Sequence, residues 1–211
     1  EALNARMYPE SLPAIGLHSR AFDTVLAKTN VSFVSTYMFE YFTALLYGRT
    51  LVLMTDSERN DYAAIGSLIV EHPNSSIFLT PSEVESYLRE EQFREQFRHL
   101  AVLVLAGEMI RESTRKNVQE AASSETSLLS LYGSTECHEI AWSNLRAWEK
   151  QGGIPSYGVQ IEILDEVGNP LPAGQPGEIV VSSSMGMERY LGREERLVGR
   201  DVHRRAADQV H

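Results

Sequence analysis

The apolar run Leu100–Ala106 (LAVLVLA) constrains the fold more tightly than any other segment. A strand with no polar alternation must be covered on both faces, as in a parallel sheet layered between helices. The neighbouring segments alternate to match. Thr24–Phe33 (TVLAKTNVSF) reads as a strand, and Tyr37–Tyr47 carries Phe39, Phe42, Leu45 and Leu46 at helical spacing before Gly48 ends it. Arg49–Met54 reads as a short strand, Tyr62–Glu71 as a helix and Ser76–Leu79 as a strand. Ser82–Arg98 reads as one helix, opened by Pro81-Ser82 with Glu85 in a capping box. Arg111–Ala122 is helical and Leu128–Leu131 extended. Beyond Trp148, Val159–Leu164 (VQIEIL), the turn-rich Asp165–Gly174 and Gly177–Ser182 (GEIVVS) form a hairpin pattern. The expected fold class is therefore α/β, a largely parallel sheet with flanking helices followed by an antiparallel β segment.

Composition narrows the function classes. Acidic residues number 29 against 19 basic ones, a net charge of −10 without any Lys/Arg stripe, which argues against a nucleic-acid partner. The longest apolar run falls well short of the roughly 20 residues that cross a bilayer, so no membrane partner and a cytoplasmic setting are expected. The single cysteine, Cys137, excludes an intrachain disulfide and a multi-cysteine zinc site. His138 beside it does not make a Cys–His pair, because sequence neighbours point apart while a nucleophile and its base must meet within about 3 Å. His18, His72 and His99 are isolated and show no metal-ligand spacing.

The chemistry concentrates at Leu131-Tyr132-Gly133-Ser134-Thr135-Glu136, where a buried strand ends. Ligands of open α/β sheets bind beyond the carboxyl ends of the strands. An aromatic ring, a glycine that permits close backbone approach, hydroxyls and a carboxylate suit a nucleotide: the ring for a base, hydroxyl and N–H groups for phosphate, the carboxylate for Mg²⁺. On these residues alone, a solvated acid in a strand-ending turn is the plain alternative.

LYGSTE followed 17 residues later by GIPSYGVQIEILDEVGNPLPAGQPGEIVV, with FLTPS (Phe78–Ser82) and LAVLVLAGE ending in Gly107-Glu108 upstream, resembles the core of the adenylate-forming superfamily. That superfamily includes nonribosomal peptide synthetase adenylation domains, aryl-acid ligases and acyl-CoA synthetases. The resemblance implies activation of a carboxylic acid by ATP with Mg²⁺, release of pyrophosphate, and capture of the acyl-adenylate by a thiol. It assigns Tyr132 to adenine, Thr135 to phosphate and Glu136 to Mg²⁺, with Gly133, Ser134, Gly107 and Glu108 also at the nucleotide. Asp201 matches a ribose-binding Asp and Arg205 an Arg of the following hinge. In the family those two segments are separated by about ten further residues, absent here through a deletion or through missing residues. The family's phosphate loop and lysine-bearing small domain are not in the sequence. A fragment that is inactive alone is therefore expected, organised as an α/β subdomain (1–150), a β-rich subdomain (151–195) and a ribose-binding and hinge remnant (196–211).

In peptide-synthetase members, an Asp after the first strand pairs with the substrate's α-ammonium. Anchoring on Phe33 puts Val34 at that position; counting back from Glu40 and Ala44-Leu45-Leu46 puts Ser35 there. Neither is acidic, and an unpartnered buried ammonium costs several kcal/mol, about the price of any uncompensated ion. An α-keto, α-hydroxy or aryl acid is therefore expected. Thr36, Phe39, Glu83, Val104, Ala106, Leu131, Glu139 and Ile140 fall at or near the other pocket positions, although core packing suits Phe39, Val104, Ala106 and Ile140 equally and capping or solvation suits Glu83 and Glu139. The leading expectation is the adenylating core of a nonribosomal peptide synthetase, with a carrier protein and other synthetase domains as partners. A freestanding acyl-CoA or aryl-acid ligase and a degenerate, non-catalytic scaffold are the alternatives.

Overall fold

The computed structural model describes residues 22–148, 153–183, 186, 187 and 189–191. A seven-stranded sheet forms its centre. Strands β1 (Thr24–Ala27), β2 (Thr50–Leu53), β3 (Ser75–Leu79), β4 (Val102–Leu105) and β5 (Ser127–Ser134) run parallel, and β6 (His138–Asn144) and β7 (Ile154–Pro155) continue it antiparallel, in the order β2-β1-β3-β4-β5-β6-β7. A separate antiparallel hairpin pairs β8 (Val159–Leu164) with β9 (Glu178–Ser183), in register from Val159↔Ser183 to Leu164↔Glu178. The expected fold class is the one observed.

The connections carry the helices. A π-helical stretch Thr36–Tyr41 continues into an α-helical Phe42–Leu46, together α1. Next come α2 (Tyr62–Glu71), α3 (Pro81–Tyr87), α4 (Glu91–Gln96) with a 3₁₀ turn Phe97–His99, and α5 (Glu112–Ala121). One face of the sheet packs Leu26, Ile77, Leu79, Leu103, Leu105 and Leu128 against Ile65, Ile69, Val84, Phe93, Phe97 and Val118 from these helices. The other gathers Val25, Val102, Leu129, Leu131 and Trp142 with Phe22 and Ala44. Covered on both faces, β4 behaves as its unbroken apolar run requires.

Three sequence expectations shift. The first strand stops at Ala27 because the following N–H groups of Lys28 and Thr29 turn to the Glu40 carboxylate at 3.2 and 3.1 Å instead of a neighbouring strand. The helix expected over Ser82–Arg98 breaks between Tyr87 and Glu91, which brings the rings of Tyr87 and Phe93 edge to face at 5.5 Å. Its capping box is Thr80 with Glu83 rather than Ser82 with Glu85, since Pro81 already occupies the first helical position. Glu85 accepts from the Thr114 hydroxyl of α5.

Phe97 is fully buried where α4 meets the sheet. Phe97→Ala should lower unfolding free energy by about 3–5 kcal/mol, read as a shift in the urea midpoint followed by tryptophan fluorescence; a shift below about 1 kcal/mol would contradict this packing.

Candidate functional site

Parallel strands of similar length end side by side, and their carboxyl-terminal loops converge on a cleft of about 620 Å³. Lys28, Thr29 and Asn30 follow β1, Arg59 and Asn60 lie beyond β2, and Thr80 and Glu83 follow β3. Ala106, Gly107 and Glu108 follow β4, and Gly133, Ser134 and Thr135 close β5. The remaining wall is Phe33, Val34, Ser35, Met38 and Phe39 of α1 and its approach, with Phe78, Leu131, His138 and Glu139 from the sheet. A second cleft of about 590 Å³ among α3, α4 and α5 contains none of the expected site residues.

Carboxylates sew these loops together. Glu108 accepts from the Ser82 N–H at 3.0 Å and its hydroxyl at 2.7 Å, tying the loop after β4 to the start of α3. Glu83 accepts from the Thr80 N–H at 2.8 Å through one oxygen and from the Lys28 ammonium at 2.6 Å through the other. Glu40, 1% exposed, takes the Thr29 hydroxyl at 2.7 Å in addition to its two backbone donors. Burial, only partly offset by these bonds, holds the Glu40 carboxyl above the usual carboxylate range.

The segment that admits two registers runs into a π-helical turn. Its ladder is one residue longer than an α-helix, with the Phe42 N–H bonded to the Tyr37 carbonyl and the Thr43 hydroxyl to the Met38 carbonyl at 3.2 Å. Val34 and Ser35 both line the cleft. Thr36 instead buries its hydroxyl against the Asn30 carbonyl at 2.6 Å.

The turn after β5 is shaped by a bulge between Tyr132 and Gly133. A Cβ on Gly133 would sit 2.1 Å from the His138 carbonyl oxygen, so only glycine allows β5 and β6 to close here. Thr135 is exposed at the cleft, and Ser134 Oγ accepts the Cys137 N–H at 3.2 Å. Glu136 accepts from the Tyr190 hydroxyl, while its carbonyl takes the Met187 N–H at 2.6 Å. Met187 and Tyr190 are thereby laid against the turn. Thr135 offers a hydroxyl and Glu136 a carboxylate, oxygen donors of the kind Mg²⁺ accepts, but only Thr135 lines the cleft, and the Glu136 carboxylate is engaged by Tyr190. No group of three or more metal-binding side chains occurs among the described residues.

Tyr132 lies on the opposite face of β5 from Leu131, half-buried against Cys137, Ile140 and Val159, and burial pushes its hydroxyl up. Ile140 is core in the same cluster, and Val104 packs in the layer with Val102 and Leu131. Burial also raises the Cys137 thiol, leaving little thiolate at neutral pH, in keeping with its reading as an ordinary buried residue. Of the expected pocket residues, Val34, Ser35, Phe39, Glu83, Ala106, Leu131 and Glu139 line the cleft. Asp201 and Arg205 lie outside the described residues. Sequence reasoning missed Lys28, a charge at the end of an apolar strand, and the aromatic wall in which Phe39 and Phe78 stack at 5.5 Å.

Comparison with protein families matches residues 7–191 to AMP-binding enzymes. The chain belongs to this adenylate-forming family. Its AMP-binding core is 29% identical over 204 residues to the hybrid PKS-NRPS synthetase gkaA of Penicillium citrinum, covering 91% of this chain and 5% of that protein. It is 23% identical over 192 residues to enterobactin synthase component F of Escherichia coli, covering 85% and 15%. Among solved structures, the benzoate CoA ligase of Burkholderia xenovorans shares the fold at a TM-score of 0.73 and 21% identity, over 91% of this chain and 39% of that one. The O-succinylbenzoate coenzyme A synthetase of Bacillus subtilis, solved with ATP and magnesium, does so at 0.71 and 22%, over 91% and 38%. The chain thus spans a small part of these synthetases and under half of these solved enzymes.

Two measurements test the geometry. Gly133→Ala should destabilise the protein by about 1–3 kcal/mol, since the obstacle is backbone; wild-type melting would contradict the close approach. The folded chain holds the Glu40 proton to higher pH than the unfolded chain does, so that stability is full below 4.5 and is lost as pH rises through the elevated folded value. Glu40→Gln should flatten this segment of the pH–stability curve. Parallel curves for the two proteins above pH 4.5 would refute it.

Proposed function

We propose that this core adenylates a carboxylic acid: acid and ATP give acyl-AMP and pyrophosphate, and the acyl group then passes to the phosphopantetheine thiol of a carrier protein. The observation that carries this reading is the cleft itself, in which the Gly133–Thr135 turn and an apolar, aromatic-walled pocket share one cavity at the carboxyl edge of the sheet. The multidomain synthetases among its relatives support a carrier protein and further synthetase domains as partners, in a cytoplasmic setting.

The roles are those that the family resemblance implies. Tyr132 packs beside adenine, Ser134 and Thr135 with the Gly133 backbone bind phosphate, and Gly107 and Glu108 complete the nucleotide side. Glu136 holds Mg²⁺, which neutralises phosphate charge when bound. Asp201 and Arg205 serve the ribose and the hinge. Val34, Ser35, Thr36, Phe39, Glu83, Val104, Ala106, Leu131, Glu139 and Ile140 shape and support the acid pocket. Catalysis by these residues is positional and electrostatic: they hold the carboxylate in line with the α-phosphorus and keep water out of the apolar wall.

The acid lacks an α-amino group. Val34 and Ser35 offer no charge, the charge of Glu83 is already matched by Lys28, which an α-ammonium would have to displace, and Glu108 and Glu139 are engaged by Ser82 and by the Trp142 indole at 3.2 Å. Glu136→Gln in the full-length protein should lower ATP–pyrophosphate exchange by about a hundredfold or more. Exchange at the wild-type rate would remove Glu136 from the metal role.

A further inference from the structure

Lys28 is a costly residue in its place. Its side chain is 6% exposed, it closes an apolar strand, and its ammonium lines the cleft with Glu83 as its partner at 2.6 Å. Two charges removed from water stabilise a fold weakly, and apolar residues of the same volume generally serve as well or better. A lysine ammonium carries three donors, of which Glu83 Oε1 uses one. The other carboxylate oxygen of Glu83 is committed to the cap of α3, where it accepts from both the N–H and the hydroxyl of Thr80. The pair therefore presents unused N–H donors, and a carboxylate that can accept one more hydrogen bond, to a cavity walled by Phe39, Phe78 and Leu131.

The charge balance selects among ligands. Lys28 and Glu83 cancel each other, and the buried Glu139 also lines the cleft. Across the whole lining Glu83, Glu108 and Glu139 outnumber Lys28 and Arg59 by three to two, so a second carboxylate on the ligand would enter a site with a negative excess, and a ligand ammonium would compete with Lys28 for Glu83. An uncharged oxygen fits both partners: a carbonyl accepts from Lys28, and a hydroxyl accepts from Lys28 while donating to Glu83. We infer, on the basis of the adenylation reading, that the Lys28–Glu83 pair is the specificity device of the acid pocket and selects acids with an apolar body and one uncharged hydroxyl or oxo oxygen besides the carboxyl.

Matched acids that differ by this one oxygen test it: 4-hydroxybenzoate against benzoate, and 4-methyl-2-oxopentanoate against 4-methylpentanoate, in ATP–pyrophosphate exchange by the full-length protein. The oxygenated member of at least one pair should be preferred by roughly a hundredfold in kcat/KM, the scale of a charged donor losing its acceptor. Lys28→Met should bring that ratio to within a few-fold, and Lys28→Gln, which keeps a donor, should retain part of it. The wild-type preference needs no variant, so a poorly folding substitution leaves the first arm standing. Equal or better exchange with the deoxygenated acids would overturn the inference while leaving adenylation intact. An equal loss for both members in Lys28→Met would also overturn it, because Lys28 would then serve the shared carboxyl. Exchange with none of these acids and with no member of a wider panel of keto, hydroxy, aryl and amino acids would instead reject the adenylation reading itself.

Discussion

Three glutamates take up backbone N–H groups that two strand ends and one helix start leave unpaired. Glu40 accepts from Lys28 and Thr29 after β1, Glu83 from Thr80 after β3, and Glu108 from Ser82 at the first turn of α3. A parallel sheet stops its ladder at one edge, and each N–H left there must find a partner or cost about 1–3 kcal/mol. Side chains supply those partners here, so the loops can stand open around a cavity rather than fold back over it. Part of the acidic excess of this chain is therefore structural, invested in the rim of the cleft and not in surface solvation alone.

The same accounting explains what the sequence made legible. Leu100–Ala106 announces a strand covered on both sides because nothing in it tolerates water, and the structure buries it so. Tyr62–Glu71 is read to the residue because Asp61 caps it by accepting the Ala63 N–H at 2.9 Å and apolar periodicity carries it onward. β6 left no such trace. Its sequence, HEIAWSN, lies between two antiparallel neighbours and is buried on both faces near the middle, so it shows neither alternation nor a long β-branched run. The capping box was misplaced by two residues because two Ser/Thr–Glu pairs three apart overlap, and proline at the first helical position chooses between them only once the start of the helix is known.

The acid pocket was legible in part for a related reason. Positions counted from a motif follow chain length, whereas a cavity follows backbone path. Val34 and Ser35 remain equivalent candidates because both line the cleft just ahead of the π-helical stretch. Lys28 lay outside any motif. A charge following Val25-Leu26-Ala27 reads as a strand leaving the core, and only the tertiary approach of Glu83, 55 positions away in sequence, turns it inward.

That inward turn alters what the missing acid at Val34 or Ser35 means. Without a carboxylate there, the pocket loses the partner an α-ammonium would need, and a pocket lacking that charge could have become wholly apolar. It is not wholly apolar. It holds an ion pair whose net charge is zero and whose donors are only partly used, beside stacked aromatic walls. On the proposed reading, a site of that composition disfavours charged groups by desolvation, and anions also by repulsion from Glu139, and it disfavours wholly apolar ones by leaving buried donors unmet. The absence of the acid and the presence of Lys28 thus act together, each removing one class of ligand, and an acid with a single neutral oxygen remains compatible with both.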